Sequence, residues 1–575
     1  MFLKKKAFVA KTKVAGTILF ILALTIFLFS MENVTAADIN SEFSYIFGKI
    51  QDAQLQPVKG VKVSLVSGTD LEYETLSSAL TQEDGSYAIN VPIPIPEQSK
   101  LLFSRHHFEQ TINNIPAADI EQLQLGNSVS FPLITIEREI TPAFWIAASI
   151  FVIVLFLIAT GFLHNTLAAF AGTSAILAIS YLGSPLLPDL YIFDFPQAVT
   201  YIDWNVIFLI MGMMMVIAVV ENTGIFHWLS YHAYRISGGK MIILLPVLML
   251  ITGISSAFLD NVTTMLLMTP ITVQIALALN ISPLVLLIPE VFASNVIGVS
   301  TLIGTPTNIL IGSFGNITFN DFLTNLTPGV FMAFLGLIIY SWLTYRKELT
   351  GEKAGSPLLL EKLEERGKIT NPENLKKAGW IGAGMMLLFV FGEKVHLLPS
   401  VTALIGASAL LIWIRPDIEE MIGAVDWTTL VFFMSLFIVV GAIQEVGLIS
   451  AIATVIGKLI GENLLLAMIV VTWFSAVLSM VIANIPFTAA MLPVIAYLTL
   501  IIPGAESKVL FYCLSVGAAL GGNGSLIGAS ANMITAGIAE RAGYKISYKY
   551  FLKKGLPALI ITVSISLVWL FIRFT

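Results

Sequence analysis

From residue 141 to the end the chain is a succession of long apolar runs, and two of these are broken from within. Between 241 and 279 the interruption reads Phe258-Leu259-Asp260-Asn261-Val262-Thr263-Thr264-Met265, and between 463 and 501 it reads Ile482-Ala483-Asn484-Ile485-Pro486-Phe487-Thr488. A bilayer core takes about 20 apolar residues to cross. Each interrupted run therefore predicts a pair of arms joined by a polar tip. Single runs predict spans near 143–163, 166–184, 203–221, 283–315 and 328–347, then 377–396, 398–415, 426–444, 507–540 and 555–573. The arm pairs fall between the third and fourth member of each set of five. A carboxylate at mid-bilayer costs about 2.5–3.5 kcal/mol on insertion scales, so Asp260 marks a candidate site that needs a partner.

The beginning of the chain has a different pattern. Lys4, Lys5, Lys6, Lys11 and Lys13 precede an apolar run from 14 to 29 and the small-residue sequence Val34-Thr35-Ala36, so residues 1–36 read as a signal peptide or an uncleaved anchor. Residues 38–137 alternate instead: Val61, Val63, Leu65, then Tyr87, Ile89, Val91, then Val129, Phe131, Leu133. Period-2 placement with turn signals at Gly60, Gly68 and Asp84-Gly85 predicts a small β-sandwich. His106-His107 reads as part of a strand, where neighbours point to opposite faces and cannot share a metal.

The two sets of spans are copies. Asp203-Trp204 recurs as Asp426-Trp427, Gly224 as Gly447, Asn261 as Asn484 and Pro270 as Pro493, each 223 residues on. After one inserted residue, Leu302-Ile303-Gly304 recurs as Leu526-Ile527-Gly528 and Asn308 as Asn532. Repeat 1 is thus 141–347 and repeat 2 is 377–575, with 348–376 as a linker. Eight Lys and Arg between Tyr345 and Lys377 make that linker cytoplasmic; the 312–329 loop has none and its counterpart 541–554 has five. Equivalent loops then lie on opposite sides. Five crossings per copy give inverted topology, with the β-module outside.

Composition limits the class of function. At 575 residues, 56% hydrophobic and 12% charged, with mean hydropathy +0.86, this is a multi-pass membrane protein. A net charge of −6 gives no sign of a nucleic-acid partner, and the single Cys513 excludes an intrachain disulfide. No paired aspartates, metal-ligand spacing or nucleophile–base pair occurs in the spans, and His164, His227 and His232 lie near span ends. An enzyme or a membrane sensor is therefore the weaker reading, and no cofactor is expected beyond a coupling Na⁺ or H⁺.

Four polar elements are expected to meet at the midplane. These are the first tip with Asp260, Asn261, Thr263 and Thr264, and the first broken span with Glu290, Asn295, Thr301, Gly304, Thr305 and Asn308. The second tip supplies Asn484 and Thr488, and the second broken span Asn523, Ser525, Ser530 and Asn532. Gly and Pro unwind a helix, and Asn, Thr and Ser cap the new ends. Half-helix N-termini then face an anion and freed carbonyls face a cation. Close helix packing is the competing explanation for small residues such as Gly298 and Ser515. Na⁺ is assigned to Asp260, Asn261, Gly304 and Asn308. Asp260 aligns with Ala483, and Glu290 with Cys513 or Leu514, so the two carboxylates belong to repeat 1 alone, where Glu290 is expected to tune its neighbour. Glu221, Glu393 and Glu445 read as solvated span ends.

Leu259-Asp260-Asn261-Val262-Thr263-Thr264-Met265-Leu266 with Gly304-Thr305-Pro306-Thr307-Asn308 resembles the ion transporter superfamily. The likeness is to its arsenite permease, NhaD-type sodium–proton antiporter and P protein branch. Gly48-Lys49-Ile50, Val58-Lys59-Gly60-Val61-Lys62-Val63 and Thr81-Gln82-Glu83-Asp84-Gly85-Ser86-Tyr87 are similar to the carboxypeptidase regulatory-like module, a likeness taken to cover 38–137. The superfamily resemblance, over about 143–575, implies homodimers in the cell membrane, a scaffold, and a transport domain that carries both hairpins in an elevator motion. The implied activity is secondary active ion transport, with a Na⁺-coupled carrier or channel for a small anion as the alternative. The dicarboxylate branch has Ser-Asn-Thr at both tips. Here the triplets read Asp260-Asn261-Val262 and Ala483-Asn484-Ile485, and only the Asn remains.

Overall fold

The computed structural model describes residues 43–349 and 367–575, apart from 54–55, 70–71 and 97, together with 361, 364 and 365. The signal segment 1–36 and most of the linker lie outside the described residues. The chain forms two compact units, Met1–Glu137 and Arg138–Thr575.

In the first unit, Phe43–Asp52 pairs antiparallel with Ser86–Pro92 and parallel with the short strands Val129–Ser130 and Ile134–Ile136. A second sheet runs in the order Glu72–Leu80, Lys62–Thr69, Ser99–Ser104, Thr111–Asn114. Alternation puts Ile46, Ile89 and Val91 of one sheet and Val63, Leu65 and Phe103 of the other into one buried cluster. Two expectations fail here. Leu133 is exposed, because the chain leaves the sheet after Ser130 and re-enters at Ile134, which shifts the inward positions to Ile134 and Ile136. His106 and His107 occupy a turn after Ser99–Ser104 and not a strand, with His107 at φ 67°.

The second unit is helical, with ten helices among the described residues long and apolar enough to cross a membrane. The element order of one half recurs in the other. Trp204–Glu221 and Trp427–Glu445, Met241–Phe258 and Leu464–Ser479, and Asn261–Ala278 and Asn484–Ile501 all start 223 residues apart. Pro306–Gly315 and Ser530–Arg541 start 224 apart. The Asp-Trp signature is a helix start: Asp203 accepts the N–H of Asn205 at 3.0 Å and Asp426 that of Thr429 at 3.1 Å.

Corresponding helices run antiparallel. Tyr201, just before Trp204–Glu221, donates to the carboxylate of Glu445 at the end of Trp427–Glu445. At the other end Asn222 donates to Glu420, just before that helix, at 3.3 Å. The last spans behave alike: Tyr340 Oη donates to Lys554 O at 2.7 Å near one end, and Trp569 Nε1 to Asn325 O at 2.7 Å near the other. Contacts are also exchanged: Pro306–Gly315 packs on Asn484–Ile501, and Ser530–Arg541 on Asn261–Ala278. Glu445 is accordingly buried, not solvated as expected, because the Tyr201 hydroxyl and the Arg138 guanidinium that donates to its backbone carbonyl cover it.

Among the helices outside the expected spans, two occupy equivalent places in the repeats. Ile225–Ser237 and Leu448–Ile460 each link a third span to a hairpin and start at Gly224 (φ 79°) and Gly447 (φ 88°), a left-handed corner that glycine adopts without strain. Their buried residues, Phe226, Ser230, Ala233 and Ser237 in the first, follow a helical period on one face only.

Candidate functional site

Each interrupted run folds as two helices meeting at a short tip: Met241–Phe258 and Asn261–Ala278 around the extended Leu259-Asp260, and Leu464–Ser479 and Asn484–Ile501 around a turn at 480–483. Each broken span stops and restarts, as Leu284–Gly298 and Pro306–Gly315, and as Val509–Gly521 and Ser530–Arg541. The two breaks are fastened to the neighbouring arm in the same way. Thr301 Oγ1 donates to Ala257 O at 2.5 Å and accepts Gly304 N at 3.0 Å; Ser525 Oγ donates to Met480 O and accepts Gly528 N at 3.1 Å. Gly304 must be glycine because a Cβ there would lie 2.4 Å from Gly298 O and 2.8 Å from Ser256 O.

The paired asparagines close the breaks. Asn308 Nδ2 donates to Val299 O at 2.9 Å and Thr301 O at 2.7 Å, while Asn532 Nδ2 donates to Gly522 O at 2.8 Å and Ser525 O at 2.9 Å. In both cases the amide replaces helix hydrogen bonds that the break removes. Each Oδ1 accepts from the other repeat: Asn308 from Ser515 Oγ at 2.6 Å, Asn532 from Asn295 Nδ2 at 3.1 Å. Ser515, attributed above to packing, is therefore a site residue. Its partner lies 207 residues away, which no local pattern could indicate.

From Asn532 the network continues inward. Asn295 Nδ2 also donates to Asn523 Oδ1 at 2.9 Å, and Asn295 Oδ1 accepts Asn261 Nδ2 at 2.9 Å. Four buried amides thus join the first tip, the first broken span and the second break. Among the described residues Asn523 Nδ2 and Thr264 Oγ1 are buried without a hydrogen-bond partner.

Other expected members stand apart. Asp260 caps Asn261–Ala278, its Oδ1 accepting Thr263 N at 2.9 Å and its Oδ2 accepting Thr263 Oγ1 at 2.5 Å. Asp426 makes the same two bonds to Thr429 at an exposed helix end, so the bonds alone do not mark an ion site. Asn484 is buried at the second tip, and its backbone oxygen accepts Thr488 Oγ1 at 2.7 Å. Its side chain does not join the network, since the position equivalent to Asn295 is Ala519. Ser530 opens the last half-helix and is half-buried. Glu290 accepts from Thr272 while Asp260 accepts from Thr263, so the two carboxylates share no hydrogen-bond partner among the described residues. Of the four Na⁺ candidates, Asn308 has both ends of its amide held by protein groups.

Capping is asymmetric. The expectation that polar side chains cap all the new ends holds in repeat 1, where Asp260 and Thr305 do so. In repeat 2 the same positions are Ala483 and Ala529, with no side-chain cap. The half-helices pair across the repeats, a capped one with an uncapped one in each case. Asn261–Ala278 runs next to Ser530–Arg541, with Thr269 and Thr535 hydroxyls 3.5 Å apart, and Pro306–Gly315 next to Asn484–Ile501. Helix N-termini carry partial positive charge and open N–H groups, so the uncapped pair suits an anion.

Comparison with known proteins agrees with a transport role. Residues 153–510 match the family described as citrate transporter (CitMHS). The chain is 34% identical over 435 residues to an uncharacterized transporter of Mycobacterium bovis, covering 75% of this chain and 98% of that protein. It is 32% identical over 430 residues to the 46 kDa membrane protein of Mycobacterium leprae, with 75% and 98% covered. Against the P protein of Homo sapiens it is 32% identical over 516 residues, covering 76% of this chain and 60% of the P protein.

Proposed function

We propose that this chain, which belongs to the citrate transporter family of the ion transporter superfamily and is a membrane transporter rather than an enzyme, is a secondary active carrier of a small anion driven by Na⁺ or H⁺. The observation that carries the reading is the pair of uncapped half-helix N-termini at Asn484 and Ser530, each on a half-helix that packs against a capped one from the other repeat. Anionic oxygens are held there by backbone N–H groups and by the amides of Asn261, Asn484 and Asn523, without any Lys or Arg. The family description supplies a carboxylate such as citrate as the first candidate. The coupling ion sits on the Asp260 side, where the only tip carboxylate stands. A sodium–proton antiporter is the second reading, favoured by that same carboxylate and its lack of a counterpart in repeat 2.

The antiparallel course of corresponding helices supports inverted repeats, and the basic linker supports a cytoplasmic inside. The β-module is then outside the cell membrane. Elevator movement is supported by the two linking helices, since each meets its third span at a glycine corner and can swing a hairpin and its broken span as one body. The resemblance further suggests a homodimer. Proteoliposomes loaded with citrate, succinate or buffer, with imposed Na⁺ and pH gradients, test the assignment. Gradient-driven anion uptake is the expected result, and Na⁺/H⁺ exchange without anion movement would favour the second reading.

A further inference from the structure

Glu290 stands on Leu284–Gly298 and is wholly buried, five residues from Asn295, or about 7.5 Å along the helix from the amide network. Both arms of the first hairpin pack against that helix. From the second arm Thr272 Oγ1 donates to Glu290 Oε1 at 3.1 Å. The first arm carries Thr252, which is also wholly buried. Glu290 Oε2 and Thr252 Oγ1 are each buried without a hydrogen bond.

No charge answers the carboxylate. The two hairpin arms carry no titratable side chain apart from the cap Asp260, and residues 522–524 carry none. Val509–Gly521 brings Tyr512 and Cys513, and Ser530–Arg541 brings Glu540 and Arg541 at its far end. Thr327–Leu349 carries Tyr340, Tyr345, Arg346, Lys347 and Glu348 in its last turns. Tyr548–Phe574 carries Tyr548, Lys549, Tyr550, Lys553 and Lys554 at its start and Arg573 at its end. Among the described residues none of these is hydrogen-bonded or ion-paired to Glu290, whose side-chain hydrogen bond comes from Thr272.

The same place in repeat 2 does without an acid. Thr252, Thr272 and Glu290 correspond to Ser475, Ile495 and Cys513 or Leu514, all of them buried. Repeat 2 therefore fills the corresponding place without a carboxyl group. An isolated ionised carboxylate in such a place is costly. A proton on Oε2 removes the charge and turns an orphaned acceptor into a donor.

We propose that Glu290, with Thr252 and Thr272, is a proton-carrying site separate from the anion site, taking up one H⁺ as COO⁻ plus H⁺ gives COOH and releasing it when the first hairpin changes its exposure. This rests on the carrier reading for its role in coupling, but the site itself is testable without transport. Infrared spectra of the purified full chain in H₂O and D₂O should show a protonated-carboxyl C=O band that is lost in Glu290→Gln and kept in Asp260→Asn. In Thr252→Val that band should move to higher frequency, an arm that remains if Glu290→Gln fails to fold. In proteoliposomes Glu290→Gln should move citrate with the dependence on external pH lost. A wild-type spectrum without the band, a band that persists in Glu290→Gln, or an unchanged pH dependence in folded Glu290→Gln would each overturn the proposal. Absence of citrate flux in every variant, with the infrared arms as expected, would instead count against the carrier reading.

Discussion

Replacing Asn532 by Asp exchanges one NH₂ for an oxygen and leaves volume almost unchanged. In the fold that NH₂ donates to Gly522 O at 2.8 Å and Ser525 O at 2.9 Å. Aspartate would set an acceptor against both carbonyls. A buried acceptor left without its donor costs about 1–3 kcal/mol, so two of them cost roughly 2–6 kcal/mol before any charge is considered. Asn532→Ala loses the same two bonds and adds a small cavity. Ser515→Ala removes only the 2.6 Å bond to Asn308 and should cost about 0.5–1.5 kcal/mol. Heating the purified variants and following the folded peak by fluorescence-detected size exclusion should rank them wild type, Ser515→Ala, Asn532→Ala, Asn532→Asp, with flux lost in the last two. If Asn532→Asp melts with the wild type and transports normally, the amide does not close the break, and the pairing of Asn308 with Asn532 needs another explanation.

Asp260→Asn should keep the cap, since Asn heads helices as well as Asp; melting should stay unchanged while Na⁺- or pH-driven flux disappears, and full ion-dependent flux would move coupling elsewhere. Asn261→Ala and Asn484→Ala should both abolish flux, but only the first should lower the melting temperature, because Asn261 is hydrogen-bonded to Asn295 and the Asn484 side chain is not bonded among the described residues. Equal melting losses would place both in a structural role. A cysteine introduced as Glu361→Cys should react with a membrane-impermeant thiol reagent only in opened cells or inside-out vesicles. Reaction in intact cells would reverse the proposed topology.

Much of the arrangement was legible because its chemistry is local. A tip at membrane depth needs polar or flexible residues within a few positions, so Asp260, Asn261 and Asn484 announced the hairpins, and the offset of 223 followed from residues whose geometry is hard to replace. The linking helices were legible in principle, since Phe226, Ser230, Ala233 and Ser237 repeat with a helical period. They are too short and too polar on one face to register as spans. What sequence could not give is partnership over distance: Ser515 with Asn308, Asn295 with Asn532, Tyr201 with Glu445. Alanine at 483 and 529 is informative only by comparison with Asp260 and Thr305, and its meaning depends on which helix end lies beside it.

The exchanged amide clamps impose an order on biosynthesis. Asn308 is made 207 residues before Ser515, a delay of roughly 10–40 s at a synthesis rate of about 5–20 residues per second. During that time the first break sits in the bilayer with one acceptor unanswered. Asn532 has the opposite experience, because Asn295, 237 residues upstream, is already in place when it emerges. The first half waits and the second half inserts onto it, so expression of the first half alone should yield a segment that the cell's quality control removes.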